Sequence, residues 1–201
     1  MCPVGPAGPA GPVPLRLEGD ALTLREWTEA DLPAMVELFD EEEVAHRTPL
    51  ASPFDLEAAR AYLEMIRRTR ATGERLHLAV AVDGDGGKRG GGSGSGSGSG
   101  HADVPVGEVL LNLQRGTMGY AIGAAHRGQG LARRAVDLLT AYAHDTLGLA
   151  RVVLQIEPGN AGSIAVARAT GYRLSNTDEP EWVEGKAGRT YQLISWEHLR
   201  P

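Results

Sequence analysis

The 201-residue chain contains a single cysteine, Cys2. One cysteine excludes an intrachain disulfide framework and any cysteine-based metal site, so no metal is expected. It also makes a reducing, cytoplasmic setting the simplest one. No apolar run approaches the roughly 20 residues of a membrane span. Residues 1–14 have neither a basic region nor an apolar core, so no secretory signal is expected there. Positive charge is also in short supply: 20 Lys and Arg stand against 26 Asp and Glu, a formal net charge of −6. That balance argues against a nucleic-acid partner, whose binding rests on neutralising phosphates.

Glycine is plentiful by contrast, 27 residues in all, and much of it falls in two low-complexity stretches. Residues 1–14 (MCPVGPAGPAGPVP) read as a disordered, partly extended Pro/Gly-rich tail. Residues 84–103 carry a Gly/Ser-rich run that reads as a flexible insertion between two strands of one domain, a hairpin with a swollen tip. Residues 15–201 are then one domain interrupted by that insertion.

Hydrophobic periodicity gives an order of elements. Ala21–Glu26 alternates as a strand. Thr28 and Asp31 form a capping-box pattern ahead of a helix carrying Leu32, Met35, Val36 and Phe39 on one face. That helix is expected to run into Asp40-Glu41-Glu42-Glu43, where the helix dipole disfavours acid. The cluster is either a solvated helix end or a lip that attracts a cationic substrate. Ser52-Pro53-Phe54-Asp55 reads as the start of a second helix, with Ser52 as its cap and Gly73 closing it. Arg75–Val82 and Val104–Leu113 are strands that flank the insertion. His77 lies in the first of them and reads as structural.

The central stretch follows. Thr117–Gly123 reads as a strand, and a glycine-bearing turn then opens a long helix over about residues 128–147. The first N–H groups of such a helix are unpaired, and its dipole favours an anion, so the turn reads as a phosphate site. Arg127, Arg133 and Arg134 stand close by, although Arg133 also has Asp137 as an i, i+4 partner. Arg151–Ile156 is nearly continuous in apolar and β-branched residues, as in a strand buried on both faces. Asn160–Thr170 is a short helix. Tyr172–Leu174, Glu181–Glu184 and Arg189–Trp196 close the chain as strands.

Arg127-x-x-Gly130-x-Ala132, after a strand and at the start of a helix, resembles the acetyl-CoA-binding motif of the GNAT N-acetyltransferases. The element order from residue 21 to 196 resembles that fold as well. Asn160-x-x-Ser163 followed by Gly171-Tyr172 is similar to the branch that includes ribosomal-protein N-terminal acetyltransferases. The resemblance implies an α/β (α+β) fold: a central, mixed, mostly antiparallel twisted sheet of about seven strands with about four helices. It implies acetyl-CoA as co-substrate, bound by Ala121, Ile122, Gly123, Arg127, Gly128, Gln129, Gly130, Leu131, Ala132 and Asn160. It implies that the strand ending at Gly123 diverges from Arg151–Ile156 and offers its open edge to the pantetheine amides.

The implied reaction is direct attack of a primary amine, on a protein N-terminus or a small molecule, upon the thioester. The branch uses its serine to assist the departing thiolate, and Ser163 occupies that position. The tyrosine that many relatives place on this helix is replaced by Ala167. Ser163 could also simply bond backbone at the helix start, and Asn160 could serve as the N-cap. Glu181, in Glu181-Trp182-Val183-Glu184-Gly185, matches the branch's proposed base, and Glu108 is the other candidate, acting through a water. A degenerate domain that binds CoA without turnover is the alternative. A monomer or a homodimer is compatible with the sequence.

Overall fold

Alternation of apolar and polar residues sets most of the strands, and one sheet joins them. The structure, a computed structural model, describes residues 14–48, 50–84, 103–184 and 190–201. Most of the tail (1–13) and of the insertion (85–102) lies outside the described residues. The elements in order are β1 (Arg16–Gly19), β2 (Leu22–Glu26), a 3-10 turn at Glu29–Asp31, α1 (Leu32–Phe39), α2 (Glu42–Arg47) and α3 (Leu56–Ala71). Next come β3 (Arg75–Val82), β4 (Val104–Asn112), β5 (Thr117–Ile122), a 3-10 turn at Ala124–His126 and α4 (Leu131–Asp145). The chain closes with β6 (Arg151–Ile156), α5 (Ala161–Ala169), β7 (Arg173–Leu174), β8 (Glu181–Glu184) and β9 (Thr190–Leu199).

The sheet runs β1-β2-β3-β4-β5-β6-β9-β7, with β8 also pairing with β9. Neighbours are antiparallel except β5 and β6, which are parallel. The expected mixed, mostly antiparallel sheet is therefore present. The described residues hold nine strands and five α-helices, more than the expected seven and four. The strand with no counterpart in the sequence reading is β1, only four residues long and paired with β2. The added helix is α2, built on the acidic cluster itself.

Side-chain alternation along the strands divides the interior into two cores. Leu76, Leu78, Val109, Leu111, Met118 and Leu154 pack with Leu131, Ala135, Leu139 of α4 and Ala167 of α5. On the opposite face Ala79 packs with Met35 and Phe39 of α1, and with Ala59, Leu63 and Ile66 of α3. The amphipathic spacing of α3 and α4 follows from this: each helix buries one stripe against one face of the sheet.

The feature that positions the site is the short contact between β5 and β6. Their parallel pairing covers only Thr117–Val153 and Met118–Leu154. Beyond it the two strands part, as the family resemblance implied. Gly119–Ile122 still pairs with β4 through Leu110–Gly107, so its free edge looks into the opening.

Candidate active site

A cavity of about 410 Å³ lies in that opening, between β5 and the N-termini of α4 and α5. Strand β5 contributes Tyr120, Ala121 and Ile122, and the turn contributes Arg127, Gly128 and Gly130. Leu131, Ala132 and Arg133 line it from α4, and Asn160, Gly162, Ser163 and Val166 from the start of α5. Glu43, Val44 and Thr48 close it from α2 and the residue after it.

The turn has the geometry of an anion cradle. Gly128 and Gly130 have φ of +77° and +71°, and a Cβ at either would meet no atom within 4 Å. Glycine is needed there for its backbone conformation, and the space above the turn is open. Helix α4 has Gly130 as N-cap with no side-chain cap. Its first backbone bond runs from Arg134 N–H to the Gly130 carbonyl at 3.1 Å. The preceding N–H groups are left to an external acceptor, with the helix dipole behind them. These residues fit a pyrophosphate.

The cations near the turn are arranged differently from the sequence expectation. Arg127 Nε donates to the Ile122 carbonyl (2.9 Å), Nη1 to Glu43 (2.6 Å) and Nη2 to Glu41 (2.7 Å). Glu41 also accepts from the Ala124 N–H at 2.8 Å. Of the acidic cluster only Asp40 belongs to the end of α1. Glu41 is the N-cap of α2, and Glu42 and Glu43 lie in its first turn, where the dipole favours acid. Arg134 points away, its Nη1 donating to the Asp20 carbonyl at 2.6 Å. Arg133 lines the cavity and lies 3.7 Å from Asp137, an exposed i, i+4 pair.

Asn160 is the N-cap of α5, its Oδ1 accepting from the Ser163 N–H at 3.1 Å. The cap holds the first turn of α5 so that Ser163 and Asn160 both face the cavity. Gly123 and Gln129 complete the strand and the turn without lining it. The Gly123 N–H is used by the Val106 carbonyl (3.0 Å), and the Gln129 carbonyl accepts from Arg134 (3.5 Å).

Neither candidate base lines the cavity. Glu108 is buried on the α1–α3 side of the sheet. It accepts from Trp27 Nε1 (2.8 Å) and Tyr62 Oη (2.6 Å), and His77 Nδ1 lies 3.3 Å away. Burial, then the charge of Glu108, push the Tyr62 phenol well up. His77 is part of that buried group, with its Nδ1 3.1 Å from Tyr62 Oη. Glu181 is exposed on β8 and accepts from Gln155 Nε2 at 2.6 Å. Gln155 is the first residue of β6 past its last pair with β5. Because Leu154 and Ile156 belong to the α4–α5 core, alternation puts Gln155 on the opposite face. Glu181 therefore approaches the opening from the side away from Ser163.

Tyr172, the aromatic after Gly171, packs in the α4–α5 core and bonds Thr140 Oγ1 at 2.8 Å. Ala167 is fully buried. Of the lining residues, Val44, Thr48, Tyr120, His126, Gly162 and Val166 were not singled out by the sequence, and Glu43 with its neighbour Glu41 only as an acidic helix end or lip. Tyr120 lies in the strand Thr117–Gly123, and the alternation of Met118, Tyr120 and Ile122 was the signal that they share a face. Among the described residues no group of three or more His, Cys, Asp or Glu side chains is gathered for a metal. No helix among them is long and apolar enough to cross a membrane.

The profile of the Acetyltransferase (GNAT) domain matches residues 21–173. The chain belongs to the GNAT acetyltransferase family, whose chemistry is acetyl transfer from acetyl-CoA. It is 23% identical over 159 residues to the uncharacterized N-acetyltransferase p20 of Bacillus licheniformis, covering 77% of this chain and 80% of that protein. Its fold is similar to that of the ribosomal-protein-S5-alanine acetyltransferase from Vibrio fischeri, with TM-score 0.69 and 16% identity over 92% of this chain and 97% of that one. It is also similar to the microcin C7 self-immunity acetyltransferase MccE, a structure containing acetyl-CoA and AMP, with TM-score 0.67 and 16% identity over 90% and 93% of the two chains.

Proposed function

We propose that this protein transfers the acetyl group of acetyl-CoA to a primary amine, on a protein N-terminus or a small molecule, by direct attack on the thioester. One observation carries the reading. The uncapped turn Gly128–Ala132, the free edge Ala121–Ile122 and Ser163 open into one cavity. Backbone N–H groups of the turn would take the pyrophosphate oxygens. The β5 edge would pair with the pantetheine amides and offer an N–H to the thioester carbonyl as charge develops on it.

The step balances without a metal or redox partner. The amine nitrogen attacks the carbonyl carbon and the C–N bond forms. The C–S bond breaks, the electron pair goes to sulfur, and the amine proton goes to a base. Ser163 hydrogen-bonds the departing thiolate, a modest service because a free thiol has a pKa of about 8.5. Glu181 is favoured as the base over Glu108. Its carboxylate is exposed and bonded to Gln155, where β6 leaves β5, whereas the Glu108 oxygens are engaged by buried donors.

The contrasting reading, CoA binding without turnover, draws on the fact that, among the described residues, Glu43 is the one carboxylate that lines the cavity. A thiol-release assay separates the two. Acetyl-CoA with a panel of amines and N-terminal peptides should give turnover that Ser163→Ala lowers by about 10²-fold, within the usual range of proton-transfer and leaving-group assistance. Tight CoA binding with no turnover on any amine would favour the contrasting reading.

A further inference from the structure

One buried polar atom of a cavity-lining residue has no role in the reaction as described. Tyr120 Oη is shielded from solvent and has no hydrogen-bond partner. A buried hydroxyl left unpaired is costly, and such groups in native proteins call for an explanation. Tyr120 alternates with Ala121 on β5. Its ring packs against the α4–α5 core, on the sheet face that carries Ser163, and both side chains line the same cavity. Ser163 acts on the phenol from this cavity, although the two hydroxyls form no hydrogen bond in the resting protein. The Ser163 backbone N–H is already fixed by Asn160. The side-chain rotamer and the rotation of the hydroxyl remain to be set.

A serine hydroxyl offers one donor and two acceptor lone pairs. Left alone at a helix start it can turn its proton to a nearby backbone carbonyl. A donor on one lone pair restricts where that proton can point. Burial raises the Tyr120 pKa, an effect the serine offsets only in part. The phenol therefore keeps its proton and acts as a hydrogen-bond donor, not as an acid.

We infer that Tyr120 is a positioning residue for acetyl transfer: its phenol, unpaired in the resting protein, donates to Ser163 Oγ as the C–S bond breaks and so directs the serine O–H at the departing sulfur. This rests on the acetyl-transfer reading above. Tyr120 exchanges no proton in the step. The sulfur leaves with the C–S electron pair, is held by the Ser163 O–H, and is protonated from solvent on release.

The test compares Tyr120→Phe, Ser163→Ala and the double variant in the full chain. Thiol release gives kcat and the KM for acetyl-CoA, and calorimetry gives acetyl-CoA affinity and the melting temperature. Phe keeps the ring, so Tyr120→Phe should melt no lower than the wild type and bind acetyl-CoA within about twofold of it, since an unpaired buried hydroxyl is removed. Its kcat should fall about tenfold, as for one lost hydrogen bond in the transition state. The double variant should be no slower than Ser163→Ala, because residues that act through one another are not additive.

A wild-type kcat in Tyr120→Phe would overturn the assignment while leaving acetyl transfer intact. So would a loss that multiplies in full with that of Ser163→Ala. Loss of acetyl-CoA affinity in Tyr120→Phe would make the residue a packing element and equally contradict it. A wild-type protein that turns over no amine would remove the acetyl-transfer reading, and this assignment with it.

Discussion

Arg127 uses all three of its guanidinium nitrogens inside the protein, on the Ile122 carbonyl and on the carboxylates of Glu43 and Glu41. An incoming polyphosphate would meet one cation held between two carboxylates, a clamp that is negative on balance. Exposed pairs of this kind are worth about 0–1 kcal/mol each. The double substitution Glu41→Gln, Glu43→Gln should therefore lower the KM for acetyl-CoA by about two- to fivefold at low salt. A raised KM would show that the carboxylates order the site rather than compete for it. At Glu181, substitution by Gln should lower kcat/KM by about 10²-fold or more and remove the acidic limb of its pH profile. A Glu181→Gln enzyme that kept that limb would move the base elsewhere. Residues 127–132, Asn160 and Ser163 were legible in the sequence because each belongs to a local pattern at a helix N-terminus. The clamp on Arg127 was not, because its partners lie 84 and 86 positions away in the chain. No local pattern encodes such a contact.

At the scale of elements, the first capping box shows local chemistry succeeding. Asp31 accepts from the Thr28 N–H (2.8 Å) and from both terminal nitrogens of Arg25 (2.8 Å each). Burial alone would raise its pKa, but the bonds from Arg25 and Thr28 outweigh it and hold the carboxyl below its ordinary value. A folded-state pKa below the unfolded one gives stability that is full above about pH 4 and is lost as pH falls through the lower folded value. Thermal melts from pH 7 to pH 2.5 should show this loss in the wild type. Asp31→Asn should be less stable at neutral pH and lose less over the acid range. A parallel loss in both proteins would contradict the assignment. The acidic quartet shows local chemistry failing. Read alone it extended α1, yet Asp40 breaks that helix and accepts from the Phe54 N–H at 2.9 Å. The three glutamates then serve as cap and first turn of α2. Similarly, α3 begins at Leu56 with Asp55 as its cap, bonding the Ala58 N–H, rather than at Ser52. Several capping patterns can compete within four residues, and tertiary contacts choose among them.

At the scale of the molecule, the order of most elements was legible, while the pairing that makes the site was not. Nothing in Arg151–Ile156 states that its neighbours are β5, in parallel, and β9, in antiparallel. The parting of β5 and β6 after two pairs came from family resemblance, not from periodicity. The described ends of β3 and β4 pair in register at Val82 and Val104, so a short turn can join them. Replacing residues 85–102 by such a turn should leave the melting temperature within a few degrees, since loop closure varies only logarithmically with length. Failure of that variant to fold would show that the segment contributes to the domain.

As proposed, one cavity holds acetyl-CoA at the turn 128–132 and presents its thioester to an amine beside Ser163. The most direct measurement is thiol release by the purified full chain, with acetyl-CoA and a panel of primary amines and N-terminal peptides, together with calorimetric titration of acetyl-CoA into wild type and Gly130→Val. Gly130 holds a φ of +71° that a β-branched residue rarely adopts. The wild type should bind acetyl-CoA and release thiol in an amine-dependent way, both lost or weakened at least tenfold in Gly130→Val. Unchanged acetyl-CoA affinity in a folded Gly130→Val, or a wild type that binds no acetyl-CoA, would contradict the proposal.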